Sequence, residues 1–301
     1  MIIPNLKTIL EYAQLYRNQL FVIKIGGEVL SSTALLNEIA LEIGFLNSLS
    51  IKVILVHGGG SQITSLCQKL GYESIKINGK RITTPNILEA VIVSLNQLNL
   101  KILVALKKVN IKGVGISGID GNSIVAKKRE ATINNEGEFV DFGEVGDIEE
   151  IDVSLINSIL CNNCIPVVAP LAVSEEGRIL NINADTVAGA LASKLKAKKL
   201  IFLTDTPGLL RKENKSGLLI PFITVPELTI LLEEESIQGG MRVKIDTCIQ
   251  ALKNGVLRTH IINGRTIDSL LIEIFTGMGS GTMITELKEA DIYTQQEKIK
   301  Q

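Results

Sequence analysis

The sequence predicts an α/β fold with a mainly parallel central sheet covered by helices on both faces. Two observations carry this. Short apolar runs alternate with longer amphipathic segments along the whole chain, and several of the runs are apolar at every position, as strands buried on both faces must be.

The expected strands are 21–25 (FVIKI), 52–57 (KVILVH), 114–117 (VGIS), 165–171 (IPVVAPL), 198–204 (KKLIFLT) and 259–263 (THIIN). Between them, 34–49, 87–108, 153–161, 186–195 and 242–254 have helical spacing. At the N-terminus Leu6, Ile9, Leu10, Ala13 and Tyr16 recur at the same spacing and predict a further helix within residues 1–20. The turn-rich stretch 129–147 reads as a β-hairpin inserted into the pattern, its acids facing solvent. The basic runs 127–129 and 194–199 and the acidic run 233–235 read as solvated faces. A soft boundary falls near residue 180.

Composition narrows the function. The chain has 301 residues, 31 Lys+Arg against 32 Asp+Glu, 46% hydrophobic residues and only 4% aromatics, with no Trp. This is the composition of a folded globule, with neither a global positive field nor a stacking surface for nucleic acid. The most apolar stretch, 90–106, is interrupted by Asn96, Gln97, Asn99 and Lys101, so no membrane span is expected. The N-terminus lacks the basic start of a signal peptide, and a cytoplasmic location is the expectation. Cys161 and Cys164 form an isolated C-x-x-C without a second pair, which reads as packing near a helix end rather than as a metal or redox site.

Two strands run straight into glycines: FVIKIGG at 21–27 and VILVHGGG at 53–60. Glycines at the carboxyl end of a parallel strand let a ligand approach the backbone, and free N–H groups there attract anions. Neither loop is G-x-x-x-x-G-K-[ST]; the G-x-G-x-x-G at Gly113, Gly115 and Gly118 lies in a strand-like run and opens no helix. Lys24 stands inside an apolar strand on the face of Val22 and Gly26, where an ammonium needs an anion.

Further along, NINADTVAGALASKL (181–195) reads as a turn entering a helix, with Asp185 and Thr186 near its N-cap. The stretch 237–252 places two glycines before a helix expected to start near Met241, with Lys244 in about its first turn, where the helix dipole disfavours a cation unless an anion is bound. Glycine loops, two lysines on separate segments and an aspartate able to hold both describe phosphoryl transfer between two anions. A carboxylate acceptor needs no base.

Residues 24–27 (KIGG), 57–60 (HGGG), 78–83 (NGKRIT), 180–185 (LNINAD), 203–210 (LTDTPGLL), 239–244 (GGMRVK) and 279–284 (GSGTMI) stand in the order found in the amino acid kinase family. Over essentially its whole length the chain resembles the branch of that family that phosphorylates N-acetyl-L-glutamate in arginine biosynthesis. The resemblance implies a three-layer αβα sandwich of two lobes. Residues 1–179 would bind the acyl amino acid and dimerise, and 180–301 would bind nucleotide. It implies Lys24 and Lys244 as catalytic lysines and Asp185 as the aspartate that orients them. Gly59, Gly60, Arg81 and Asn181 match substrate-binding positions. Gly26, Gly27, Thr204, Asp205, Gly208, Leu210, Ile237 and Gly240 match the nucleotide loops. ATP with Mg2+ held through its phosphates is the implied cofactor, with no dedicated protein ligand set. A homo-oligomer is implied, dimer or hexamer, with L-arginine as feedback inhibitor and Glu273 and Gly279 as its contacts.

Two residues depart from the family pattern, Lys80 where an apolar residue is usual and Ile119 where Lys is frequent. Both fall on the acyl-substrate side. N-succinylglutamate or N-acetylaminoadipate therefore stand as alternative acceptors, since one methylene changes binding by only about 1–3 kcal/mol. A non-catalytic, arginine-binding relative is the alternative from another class, and retention of Lys24, Asp185 and Lys244 weighs against it.

Overall fold

The computed structural model describes residues 6–77, 79–133, 137, 139–213, 216–234, 237, 239–277 and 279–292. Asn78 of the NGKRIT motif and Glu235 of the acidic run lie outside them.

An eight-stranded sheet forms the middle layer. From one edge to the other its strands are Phe222–Thr224, Thr282–Thr285, Arg258–Asn263, Lys199–Thr204, Leu20–Ile25, Lys52–His57, Ile165–Ala169 and Gly113–Ser117. Every neighbouring pair is parallel except Arg258–Asn263 with Thr282–Thr285. Alternation along each strand divides the core in two. Phe21, Ile23 and Ile25, with Val53, Leu55, Ile201 and Leu203, face one layer. Val22, Ile54, Val56, Leu200 and Phe202 face the other.

Helices Leu6–Tyr16, Thr33–Ser48, Pro85–Lys108 and Ser269–Phe275 cover the first face, and Ser154–Cys161, Ala184–Lys194, Val225–Glu234 and Gly239–Lys253 the second. The helix Gly60–Lys69 follows the HGGG loop and packs on Pro85–Lys108. Ser32 and Thr84 cap their helices by accepting from Leu35 N and Ile87 N, and Pro85 sits at the first turn, where its missing N–H costs nothing.

A smaller sheet of Ile179–Asn181, Leu171–Val173, Ile124–Lys128 and Gly146–Ile151 roofs the carboxyl ends of the main strands. The expected insertion at 129–147 is thus the far end of a longer antiparallel pairing, tipped by a short Thr132–Ile133 to Phe139–Val140 ladder. The run 165–171 is two strands in different sheets, because Pro170 separates them and Leu171 turns to pair with Asn181.

Four expectations need correction. Pro85–Lys108, 24 residues with a window of mean hydropathy 1.6, is long and apolar enough to cross a membrane. In this fold its Leu98, Ile102 and Leu106 pack on the sheet and its Val91 and Leu95 on Gly60–Lys69, so its apolarity serves a core. Lys199, read as solvated, is 2% exposed, because the basic run ends inside a central strand. Arg129, also read as solvated, is half-buried, pairs with Asp147 and lies over the Phe142 ring. In the first helix Leu10 is exposed and Tyr12 points inward instead, toward Phe275, while Tyr16 is buried against Phe21 as expected.

Candidate active site

The carboxyl ends of Leu20–Ile25, Lys52–His57 and Lys199–Thr204 meet at a cavity of about 430 Å³. Its floor is the two glycine loops. They touch so closely that a Cβ on Gly27 would stand 2.8 Å from Gly60 N and 3.2 Å from Gly59 C, which is why only glycine serves there.

Lys24 points into the second layer, as its alternation with Val22 requires. Its Nζ lies 2.8 Å from Asp185 Oδ1, an ion pair off the hydrogen-bond axis, while Lys244 Nζ donates to Asp185 Oδ2 at 2.7 Å. All three are buried. Asp185 does not cap its helix. Asn183 does, accepting from Asp185 N and Thr186 N at 2.8 and 3.2 Å, which frees the Asp185 carboxylate for the lysines.

The Lys244 helix begins at Gly239, two residues before the expected start, so Lys244 stands in its second turn. What holds Lys244 is therefore Asp185, and the dipole argument gives way to an ion pair. The approach of the two helices depends on Gly189, one turn beyond Asp185, whose Cβ would lie 2.3 Å from Cγ2 of Thr247. Lys244 also sits 5.3 Å from the centroid of the Phe202 ring.

Burial alone would raise the Asp185 pKa, but the charges of Lys24 and Lys244 outweigh it and hold the carboxyl at about 2. Lys24 is pushed the other way: desolvation lowers its pKa more than Asp185 raises it, and Lys244 adds repulsion. The centre is a compact group of two cations and one anion, with excess positive charge facing the cavity.

Arg81 forms the next part of the wall. Its Nη2 donates to Gly60 O and Thr64 Oγ1 at 2.8 and 2.9 Å, and its buried Nη1 has no acceptor among the described residues. A guanidinium buried without a carboxylate is set for one from outside. Asn181 donates to Thr83 Oγ1 at 3.1 Å and lines the same cavity. Thr204 and Asp205 stand at the opposite rim, where Thr204 Oγ1 accepts from Thr206 N and tightens the turn. Gly26, Gly27, Gly59, Gly60 and Gly240 also line it.

Three expected residues are not brought to this cavity. Gly208 packs beside Thr282, Leu210 opens the exposed hairpin of Leu210–Glu213 and Ser216–Leu219, and Ile237 is half-buried beside the second-layer core. Conversely, Lys76, Lys80 and Arg129 line the cavity and were not singled out as site residues. Lys80 was noted only as a departure from pattern. For Arg129 the missed signal was its side-chain ion pair with Asp147 across the antiparallel strands, which no local pattern displays.

Among the described residues no group of three or more His, Cys, Asp or Glu could hold a metal. The one carboxylate at the centre has both oxygens taken by lysines. Glu28 and Asp205 line the same cavity further out.

The family model described as the amino acid kinase family matches residues 19–263. The chain belongs to the amino acid kinase family. Acetylglutamate kinase of Bartonella henselae is 40% identical over 284 residues, covering 93% of each chain, and that of Brachyspira hyodysenteriae is 40% identical over 275 residues, covering 91% and 93%. Among solved structures, N-acetylglutamate synthase from Neisseria gonorrhoeae, complexed with coenzyme A and N-acetyl-glutamate, superimposes with a TM-score of 0.81 at 27% identity. That match covers 93% of this chain and 62% of the synthase. The αβα sandwich expected from the sequence is the fold of this amino acid kinase, and the large mainly parallel sheet is its centre.

Proposed function

We propose that this amino acid kinase transfers the γ-phosphoryl group of ATP to the side-chain carboxylate of N-acetyl-L-glutamate, giving N-acetyl-L-glutamyl 5-phosphate in arginine biosynthesis. The observation that carries the reading is the pair of lysines sharing one buried aspartate above two touching glycine loops. The acetylglutamate kinases at 40% identity supply the acceptor.

Arg81, whose side chain lines the cavity, takes the α-carboxylate, and Asn181 the neighbouring amide. The N–H groups of Gly27, Gly59 and Gly60 face the transferred group from the floor, while Gly26 N–H donates to Leu203 O at 2.9 Å and holds the loop to the sheet. Gly240, Thr204 and Asp205 border the nucleotide. Gly208, Leu210 and Ile237, which lie outside the cavity, belong to the outer part of that nucleotide surface. Mg2+ held by the ATP phosphates would supply charge neutralisation there.

A side-chain carboxylate oxygen attacks the γ-phosphorus as the bond to the β-phosphate oxygen breaks, and ADP leaves with that electron pair. Lys24 screens the repulsion of the two anions on one side and Lys244 on the other. Asp185 fixes both ammonium groups where charge spreads in the transition state. No proton has to move. His57 fits this account: it is fully buried, its Nδ1 3.2 Å from Gly58 O and its Nε2 3.3 Å from Asn99 Nδ2, and desolvation lowers its pKa to about 4.

The same reading makes residues 1–179 the acyl-amino-acid lobe and 180–301 the nucleotide lobe, joined through one continuous sheet. It makes the enzyme a cytoplasmic homo-oligomer, a dimer or a trimer of dimers. Exposed Val93, Leu100 and Val104 on the long helix support a second copy there. L-arginine is the proposed inhibitor. A cavity of about 460 Å³ under the first helix, lined by Tyr12, Lys199, Arg258, Glu273 and Gly279, supports its site. The related synthase was also solved with coenzyme A and L-arginine.

Acyl phosphate trapped as hydroxamate tests the function. Signal with ATP, magnesium and N-acetyl-L-glutamate, absent with aspartate and abolished in Lys244→Ala, is expected. Equal signal in the variant, or none from the wild type with any acceptor, overturns it. A rate that stays flat up to millimolar L-arginine removes the inhibitor assignment alone.

A further inference from the structure

Beneath the inserted hairpin, next to the first cavity, lies a second one of about 450 Å³. Two residues line both spaces, Lys80 and Arg129. Lys80 and Arg81 are successive residues of one short strand, so their side chains leave it on opposite faces. Arg81 turns to the glycine loop, and Lys80 stands at the doorway to the second chamber.

The charges at that doorway are not balanced. Arg129 is held by Asp147, its Nε 3.1 and 3.0 Å from the two carboxylate oxygens. Asp246, the next acid near Lys80, is paired with Arg242 at 3.1 Å. Lys127 reaches Glu149 at 3.9 Å on the outside. Lys80 alone among these cations has no ion pair or hydrogen bond from its ammonium to any of the described residues. Its partial burial and the nearby Arg129 lower its pKa, as expected of a cation short of a counter-ion. Beyond the doorway the chamber is lined by Ile77, Val140 and Phe142.

An acetyl group would fill none of this space and would leave Lys80 unpaired. We propose that the acceptor site admits an N-acyl group longer than acetyl and ending in a carboxylate, of the N-succinyl type, with Lys80 as its counter-ion. This rests on the acyl-glutamate reading above and extends it from the amino acid to the acyl arm. The methylenes lie along the apolar wall, and the terminal carboxylate meets the Lys80 ammonium, the one cation lining both cavities that has no partner among the described residues. A half-buried ammonium discriminates between an acyl chain that pairs it and one that does not.

The test compares kcat/KM for N-acetyl-, N-butyryl- and N-succinyl-L-glutamate in the wild type, Lys80→Met and Lys80→Arg. Butyryl has the length without the charge. In the wild type the succinyl compound is expected to match or exceed the acetyl one and to exceed the butyryl one at least tenfold. Lys80→Met should lower the succinyl-to-acetyl ratio at least tenfold, and Lys80→Arg should restore most of it. Being a ratio within one variant, this readout is insensitive to partial loss of folded protein. Turnover of the acetyl compound without the succinyl one in the wild type overturns the proposal, as does a ratio unmoved in Lys80→Met. Turnover of none of the three removes the parent reading itself.

Discussion

Lys24 and Lys244, one on the first strand of the sheet and the other on a late helix, are held by opposite oxygens of the same carboxylate, at 2.8 and 2.7 Å from Asp185. Neither lysine is placed by its own neighbours in sequence. Each is held by a residue that reaches it only because helix Ala184–Lys194 packs on Gly239–Lys253 above the sheet.

Asp185→Asn should therefore damage both activity and stability. It leaves two buried ammonium groups repelling each other, and breaking such a buried arrangement typically costs about 3–5 kcal/mol. A fall in kcat of about 100-fold or more and a clear drop in Tm are expected by hydroxamate assay and thermal melt. Unchanged kcat would end the shared-aspartate account.

Lys24→Met and Lys244→Met should each lower kcat by about 100- to 1,000-fold with a smaller change in KM, since their charge matters most in the transition state. Steady-state kinetics in both substrates separates the two parameters. A pure KM effect would make the lysines binding groups only.

The Lys24 pKa is lowered from its ordinary value, chiefly by burial. The ammonium is the useful form, so kcat should fall as pH rises through that lowered pKa. Lys24→Arg, always charged, should retain some rate and lose the alkaline fall. The pH profiles of the two proteins, measured side by side, decide it, and coincident alkaline limbs would assign the fall to another group.

Gly27→Ala and Gly240→Ala should behave oppositely in the melt. A Cβ at Gly27 would collide with the backbone of Gly59 and Gly60, whereas at Gly240 nothing lies within 4 Å. The first should lose about 1–3 kcal/mol of stability together with activity. The second should melt like the wild type and raise the KM for ATP. A Gly240→Ala enzyme with normal KM would move the nucleotide away from that loop.

Glu42 accepts from Leu270 N and Leu271 N at 2.9 and 3.2 Å, and burial raises its pKa to about 7. Between 4.5 and that value the folded chain holds a proton that the unfolded chain has lost, so this group's contribution to stability falls as pH rises across the interval. The wild type should lose Tm relative to Glu42→Gln between pH 5 and pH 8. A Tm difference independent of pH would contradict the raised pKa.

The fold was legible because its signals are local. Apolar runs such as 52–57 and 199–204, each followed by a turn or glycines, read directly as buried parallel strands. The smaller sheet was not, because Ile179–Asn181 and Leu171–Val173 are three residues long, too short for alternation to register. The long helix Pro85–Lys108 was read correctly in extent, but its apolarity could be weighed only after its Leu98, Ile102 and Leu106 were found under the sheet.

The sequence by itself determined six strands of the central sheet, most of the helices and the glycine loops, and singled out Lys24, Asp185 and Lys244, because backbone freedom and a charge in an apolar strand are properties of a residue and its near neighbours. Tertiary structure alone decided that Asn183 and not Asp185 caps the helix, that Lys199 is buried, that Arg129 faces the site, and that Lys80 lines two cavities at once. Those facts depend on which distant segments share a space. Desolvation and ion pairing act through that space, and one chain position does not encode it.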